Sequence, residues 1–311
     1  MSIRSDIFAK VRILRDHLTM EHRMREALRR IDGQLRLLLD NQLEIRSVRP
    51  AEGRLRLRQE IELLILRIID AIAKKHNIQY WLMYGTLLGA VRHRGFIPWD
   101  DDLDISMLDV DYENLYSILP SALPKSLEVE RWRSEKHPRL GIMRVVDGDS
   151  GCFVDIYPQL RVPGALSESG EVTGWEKEYQ RFLNEVVNLD AYKPLTDRER
   201  ETFRKWIRDH ASGDGNIAGI AVSPEFADVP PSARKVFPVS DIFPLGSIVF
   251  EGIDFPAPAN PASILERIYD TYNRFPGDAG TSLHEGKAID PRILRHCIDR
   301  LHSDLERIVD A

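Results

Sequence analysis

Cysteine is scarce in this chain: Cys152 and Cys297 are the only two in 311 residues, and neither belongs to a CxxC pair. A disulfide framework and a zinc pattern of the usual spacing are therefore excluded, and a reducing compartment is the simplest reading. Long apolar runs are also missing. None approaches the roughly 18–20 residues needed to span a bilayer. There is no excess of basic charge: the net charge is −6, which argues against broad nucleic-acid binding because that takes a basic face. Internal repeats and low-complexity tracts are lacking too. The opening Met1-Ser2-Ile3-Arg4-Ser5-Asp6 leads into a charged amphipathic stretch rather than a signal-peptide core. The expected location is the cytoplasm, with peripheral contact at the inner membrane face left open.

The composition, 43% hydrophobic and 30% charged, is that of an ordinary globular protein long enough to bury a real core. Residues 5–45 read as helical. Ile7, Val11, Leu14 and Leu18, then Met24, Leu28, Ile31, Leu35 and Leu38, alternate steps of four and three, the spacing of a coiled-coil seam. Gly33 weakens the second run. A coiled coil that makes a homo-oligomer and an amphipathic helix packed on its own domain both fit this pattern. Pro50 and Gly53 punctuate a linker, dividing a helical segment, 1–50, from a larger domain, 54–311.

Within the larger domain the spacing predicts a helix over 54–76 and a short buried strand over Gln79–Met83. A short helix opens at Gly85-Thr86, and a strand runs from Asp102 to Met107. A further helix is expected at 109–119, with strands at 127–132, 140–146 and 152–157. Residues 172–211 read as helical with a break at Pro194, and 212–235, rich in Gly, Pro, Ser and Ala, as loop. Ser247–Phe250 and Ile253–Phe255, joined by Glu251-Gly252, predict a hairpin. Helices at 261–272 and 291–309 complete an α/β (α+β) pattern of strands interspersed with helices.

The chemistry concentrates at Trp99-Asp100-Asp101-Asp102-Leu103-Asp104. Four carboxylates in five positions repel one another and raise each other's pKa unless a cation compensates. Exposed to water, such a run is a plain acidic turn. Here Phe96-Ile97-Pro98-Trp99 on one side and Leu103, Ile105 and Met107 on the other imply burial, and buried carboxylates need partners. Mg²⁺ (or Mn²⁺) is the economical one, since it prefers hard oxygen ligands. On a strand Asp102 and Asp104 face one side and can share the ion; the directions of Asp100 and Asp101 are not readable from the pattern. Gly85-Thr86 opens a helix, where free N–H groups favour phosphate. Arg92 suits phosphate by its planar fork, although a salt bridge to the acidic run fits it as well. Asp155, in an otherwise apolar strand, is expected as a third metal ligand or as the base that deprotonates an acceptor. Arg144, on the preceding strand, is a further phosphate candidate.

The stretch from Tyr84-Gly85-Thr86-Leu87-Leu88-Gly89 through Pro98-Trp99-Asp100-Asp101-Asp102-Leu103-Asp104-Ile105 strongly resembles the signature of the LicD family, which includes bacterial phosphocholine transferases and is similar to the fukutin-type transferases. Weaker likeness continues through Phe153-Val154-Asp155-Ile156-Tyr157-Pro158 to Tyr269-Asp270-Thr271-Tyr272, so it covers roughly 60–275. In the last segment Asp270 follows Tyr269 where the family often has Tyr-Gly. The resemblance implies a nucleotidyltransferase-like mixed sheet flanked by helices. It also implies transfer of a phosphorylated alcohol from a CDP-linked donor to a sugar hydroxyl of a glycan or glycolipid acceptor. On this mapping Asp102, Asp104 and Asp155 hold the metal and act in catalysis, while Gly85 and Thr86 face donor phosphate. Two alternatives stay open: a nucleotidyltransferase acting on a sugar phosphate or other small acceptor, and a non-enzymatic nucleotide-binding scaffold.

Overall fold

The computed structural model describes residues 45–132, 142–163, 165–166, 172–173, 217–222, 236–274 and 289–310. The chain divides into two compact units, Met1–Val48 with Asn273–Gly280, and Arg49–Tyr272 with Thr281–Ala311. Of the first, the described part includes a single 3₁₀ turn at Ile45–Ser47. The seam-spaced helix expected over 5–45 otherwise lies outside the described residues, as does most of the helix expected over 172–211.

The second unit begins with helix α1, Gly53–Lys75, whose Ile61, Ile65, Ile68, Ile69 and Ile72 are buried as the broad apolar stripe requires. His76 caps it, its N–H donating to the Ile72 carbonyl, and Asn77 at φ 54° turns the chain away through a left-handed conformation that Asn tolerates. There follow β1 (Trp81–Leu82), α2 (Tyr84–His93), β2 (Leu103–Leu108), α3 (Asp109–Ala122), β3 (Leu127–Trp132), β4 (Ile142–Asp147) and β5 (Phe153–Pro163). A short pair, β6 (Ala165–Leu166) and β7 (Val172–Thr173), precedes β8 (Ile217–Val222), β9 (Val236–Pro238) and α4 (Val239–Ile242). The hairpin β10 (Gly246–Phe250) and β11 (Ile253–Ala257), then α5 (Pro261–Tyr269) and α6 (Pro291–Val309), complete the order.

Seven strands form one curled mixed sheet. Its path is β1-β2-β5-β4-β3, with β8 added to the second half of β5 and β9 to β8. β2 and β5 run parallel and every other pairing is antiparallel. This makes β2 a central strand, and all six of its residues are buried. Leu103, Ile105 and Met107 enter the core shared with α1, and Asp104 and Ser106 occupy the alternate positions. α6 adds Leu294, Cys297, Leu301 and Leu305, spaced by three and four, against α1. Each such leucine contributes about 1.5–3 kcal/mol by leaving water.

Two expectations are corrected. Residues 212–235 contain strand β8, although their Gly and Ala content reads as loop: Ile217-Ala218-Gly219-Ile220-Ala221-Val222 is held by backbone pairing to β5 on one side and β9 on the other. Val172–Thr173 is likewise strand, paired with Ala165–Leu166, rather than the start of a helix. For β8 ladder partners distant in sequence override a weak local preference, while β7 pairs with the neighbouring β6.

Candidate active site

Helix α2 and strand β2 meet at one end of the sheet. Thr86 is buried, and its hydroxyl accepts the Asp104 N–H at 2.7 Å. The Met83 N–H donates to the Asp104 carbonyl at 3.2 Å. The backbone of Asp104 is therefore held from both sides by the segment that opens α2. Gly85 lies against the acidic residues: a Cβ there would come within 2.9 Å of Asp100 Oδ2 and 4.0 Å of Asp104 Oδ2. Only a residue without a side chain leaves that space open.

Across the sheet, Asp104 pairs in parallel register with Asp155, and Asp155 in antiparallel register with Arg144. Three charged residues thus stand side by side on β2, β5 and β4. Arg144 donates from Nε and Nη2 to the two oxygens of Asp155, both at 2.7 Å, while its guanidinium lies 3.5 Å over the Phe153 ring. Ser106 and Tyr157 are the next register pair, and Gln159 donates to the Ser106 hydroxyl at 3.1 Å. Tyr157 meets Tyr84 edge to face, ring centroids 5.0 Å apart.

The electrostatics separate these carboxylates from ordinary surface acids. Burial raises Asp104 well above the usual carboxylate range, and the charges of Asp102, Asp155 and Asp100 raise it further against the pull of Arg144. Burial also raises Asp100, followed by the charge of Asp102, a hydrogen bond to it, and the charge of Asp101. The Tyr157 and Tyr269 hydroxyls are pushed up by burial and then by Asp104 above all the other carboxylates. Beneath the acidic run, Glu62 of α1 is fully buried, with neither oxygen hydrogen-bonded among the described residues and Arg58 3.9 Å away. Burial raises it strongly, against Arg58 and with Asp102, Asp101 and Asp100.

Arg92 is buried at the far end of α2. Its Nη1 donates to the Tyr272 carbonyl at 2.9 Å, and its Nε and Nη2 have no hydrogen-bond partner among the described residues. Burial pushes its pKa down to about 10, with Tyr269 and Asp100 opposing.

The structure thus brings Gly85, Thr86, Asp102, Asp104 and Asp155 to one end of the sheet, with Arg144 locked to Asp155. Asp102, Asp104 and Asp155 do not form a closed cage. Among the described residues the one group of three or more ligand-type side chains with all ligand atoms within 4.8 Å is Asp147, Asp149 and Cys297. There Arg300 donates to both carboxylates, so a protein cation already fills that corner. Sequence reasoning left the direction of Asp100 open, because it depends on a turn, and missed Tyr157 and Tyr269. The tyrosines carry no local signal, because aromatic residues in strands and helices look like core.

Comparison with known proteins follows the same residues. Residues 77–206 match the family described as LicD/FKTN/FKRP, nucleotidyltransferase domain. An uncharacterized protein of Rickettsia prowazekii is 61% identical over 56 residues, 18% of this chain and 21% of that protein. The lipopolysaccharide cholinephosphotransferase LicD of Haemophilus influenzae is 43% identical over 63 residues, 19% of this chain and 24% of that protein. The human ribitol 5-phosphate transferase FKRP is 29% identical over 93 residues, 30% of this chain and 19% of that protein. The chain thus spans less than a quarter of the length of these relatives. With the signature, the family match and the relatives in agreement, residues 77–206 carry a domain of the LicD/FKRP type.

Proposed function

We propose that this chain is a metal-dependent transferase that moves a phosphorylated alcohol, such as phosphocholine, from a CDP-linked donor to a sugar hydroxyl of a cell-surface glycan precursor. The observation that carries the reading is the gathering of Asp100 and Asp104 against Gly85, with Asp155 beside Asp104 in register and the Asp102 charge helping burial to raise both Asp100 and Asp104. Arg144 offsets one of these charges, and Arg92 lies at a distance on the Asp100 side. A set of hard oxygen donors that raise one another's pKa fits Mg²⁺ or Mn²⁺.

Asp102 and Asp104 would hold the ion. Asp155, both of whose oxygens accept from Arg144, is a weak base and serves as the third carboxylate. The metal supplies neutralisation of the charge that develops on the donor phosphates. Gly85 lets those phosphates approach the α2 backbone, and Thr86 keeps Asp104 at fixed height. Arg92 offers Nε–H and Nη2–H to a phosphate oxygen, and Arg144 adds positive charge at the Asp155 end. The acceptor hydroxyl oxygen forms the new bond to the phosphorus distal to cytidine as its proton passes to a carboxylate of the site, the phosphoanhydride P–O bond breaks, and CMP leaves. Tyr157 and Tyr269 border the acidic residues.

No described helix is long and apolar enough to cross a membrane. We place the protein in the cytoplasm, in reach of the inner membrane face where glycan precursors are built, with residues 5–45 available for self-association. A thermal-shift titration with CDP-choline, CDP-glycerol, CDP-ribitol, CTP and ATP, each with and without Mg²⁺, tests the reading. A metal-dependent rise with one CDP-alcohol, and CMP as the product, is expected. A rise with CTP or ATP alone, and pyrophosphate as product, would replace it with nucleotidyl transfer.

A further inference from the structure

The segment between α2 and β2, Arg94 to Asp102, carries Asp100, Asp101 and Asp102 and contains no regular structure of its own. Its shape is set from outside. The Phe96 N–H donates to Glu251 Oε1 at 3.1 Å, and the Glu251 N–H donates to the Arg94 carbonyl at 2.8 Å. The other oxygen of Glu251 accepts Arg56 Nη2 of α1 at 2.7 Å. Gly95 has no room for a side chain, because a Cβ would overlap the Glu251 carboxylate. From α1, the buried Gln59 donates through Nε2 to the Asp100 carbonyl at 2.9 Å and reaches the Ile97 carbonyl at 3.4 Å. The Asp100 N–H closes the same turn on the Ile97 carbonyl at 3.0 Å.

Glu251 occupies the β10–β11 turn at φ 51°, followed by Gly252 at φ 76°. Such turn positions favour Gly, Asn or Asp. A glutamate there is conformationally strained, and its compensation is the pair of contacts its carboxylate makes. Phe250, beside it, packs edge to face on Phe96 with centroids 5.0 Å apart. Hairpin and helix therefore grip one loop from two directions.

We propose that Glu251 and Gln59 are positioning residues for the metal centre: they fix the height of Asp100–Asp102 over Gly85 and so set the affinity of the site for its cation. Both lie outside residues 77–206, the stretch that matches the family. The inference rests on the reading that Asp102 and Asp104 bind the metal. Orientation is the physical reason, since outer-shell partners of a carboxylate ligand hold it in the geometry a small hard ion demands.

The test is the Mg²⁺ concentration that half-saturates the rise in Tm of the full chain, in wild type, Asp104→Asn, Gln59→Met, Glu251→Ala and Glu251→Gln. Gln59→Met and Glu251→Ala are expected to raise it about tenfold or more. Glu251→Gln keeps an acceptor for the Phe96 N–H and should fall between wild type and Glu251→Ala. A purely structural role would lower the metal-free Tm and leave the half-saturating concentration where it was, and that result in both Gln59→Met and Glu251→Ala overturns the proposal. If one of them does not fold, the other decides. Failure of the site reading looks different: wild type then shows no Mg²⁺ response, or Asp104→Asn keeps it in full.

Discussion

Two acidic clusters in this molecule contrast in how their charge is balanced. At the β4–β5 turn, Asp147 is fully buried and accepts from the Ser150 N–H, the Ser150 hydroxyl and Arg300, which also holds Asp149. Close by, Arg307 pairs with Asp304, which also accepts from Ser126. At the start of β2, four aspartates gather with Arg144 committed to Asp155, and Asp100 and Asp104 are driven well above the usual carboxylate range. In the first cluster each carboxylate is held by an arginine of the chain itself, so it reads as structure. In the second, burial and mutual repulsion hold Asp100 and Asp104 far from their ordinary state, the condition of a site built for a ligand.

The comparison breaks first at Asp104. Asp104→Asn is expected to lower turnover by at least about a hundredfold, since even outer-shell changes cost 10–100-fold. Its metal-free stability should be equal or higher, because a repelling charge is removed. A variant with near wild-type turnover would sink the assignment. Arg300→Ala should do the opposite: urea unfolding should report a loss of about 3 kcal/mol, from stranding a buried carboxylate, with activity per folded molecule unchanged.

Metal addition sharpens the contrast further. Mg²⁺ at a hundredfold excess over its Kd should stabilise wild type by about 2.7 kcal/mol. Asp102→Asn should abolish that response and Asp149→Asn should leave it intact. A response lost in Asp149→Asn and kept in Asp102→Asn would move the cation to the other cluster.

The smallest effect is a pH dependence through Glu62, whose folded pKa is raised above its ordinary 4.5 mainly by burial. A raised carboxylate contributes stability that is fully present below the ordinary value and lost as pH rises through the folded value. Glu62→Gln, a permanent mimic of the protonated form, should therefore match wild type in Tm at pH 4 and exceed it in metal-free buffer at pH 8. Equal differences at both pH values would show that Glu62 does not titrate in this way.

Much of the frame was legible locally. The apolar stripe of α1, the alternation in β2 and the Glu251-Gly252 hairpin follow from side-chain periods and turn chemistry, and each appears close to its expected bounds. β8 was not legible, since its small residues signal loop until β5 and β9 are beside them. Within the site, Asp102, Asp104, Gly85 and Thr86 announced themselves because they lie within 20 residues of one another and share one motif. Thr86 was expected on phosphate, and its first partner is the Asp104 backbone. Arg144 was expected there too, and its fork is on Asp155.

The sequence by itself determined that a carboxylate cluster would be buried, because apolar residues bracket it on both sides. It also carried the likeness to LicD-type domains, through one contiguous signature. Only the tertiary structure decided which charges meet: strand register set Asp104 beside Asp155 and Asp155 beside Arg144, and α1 and the β10–β11 hairpin fixed the loop that carries Asp100. The physical reason is range. Side-chain period and burial are written within a few residues, whereas charge pairing and loop height depend on atoms that approach within 3 Å from positions up to 195 residues apart.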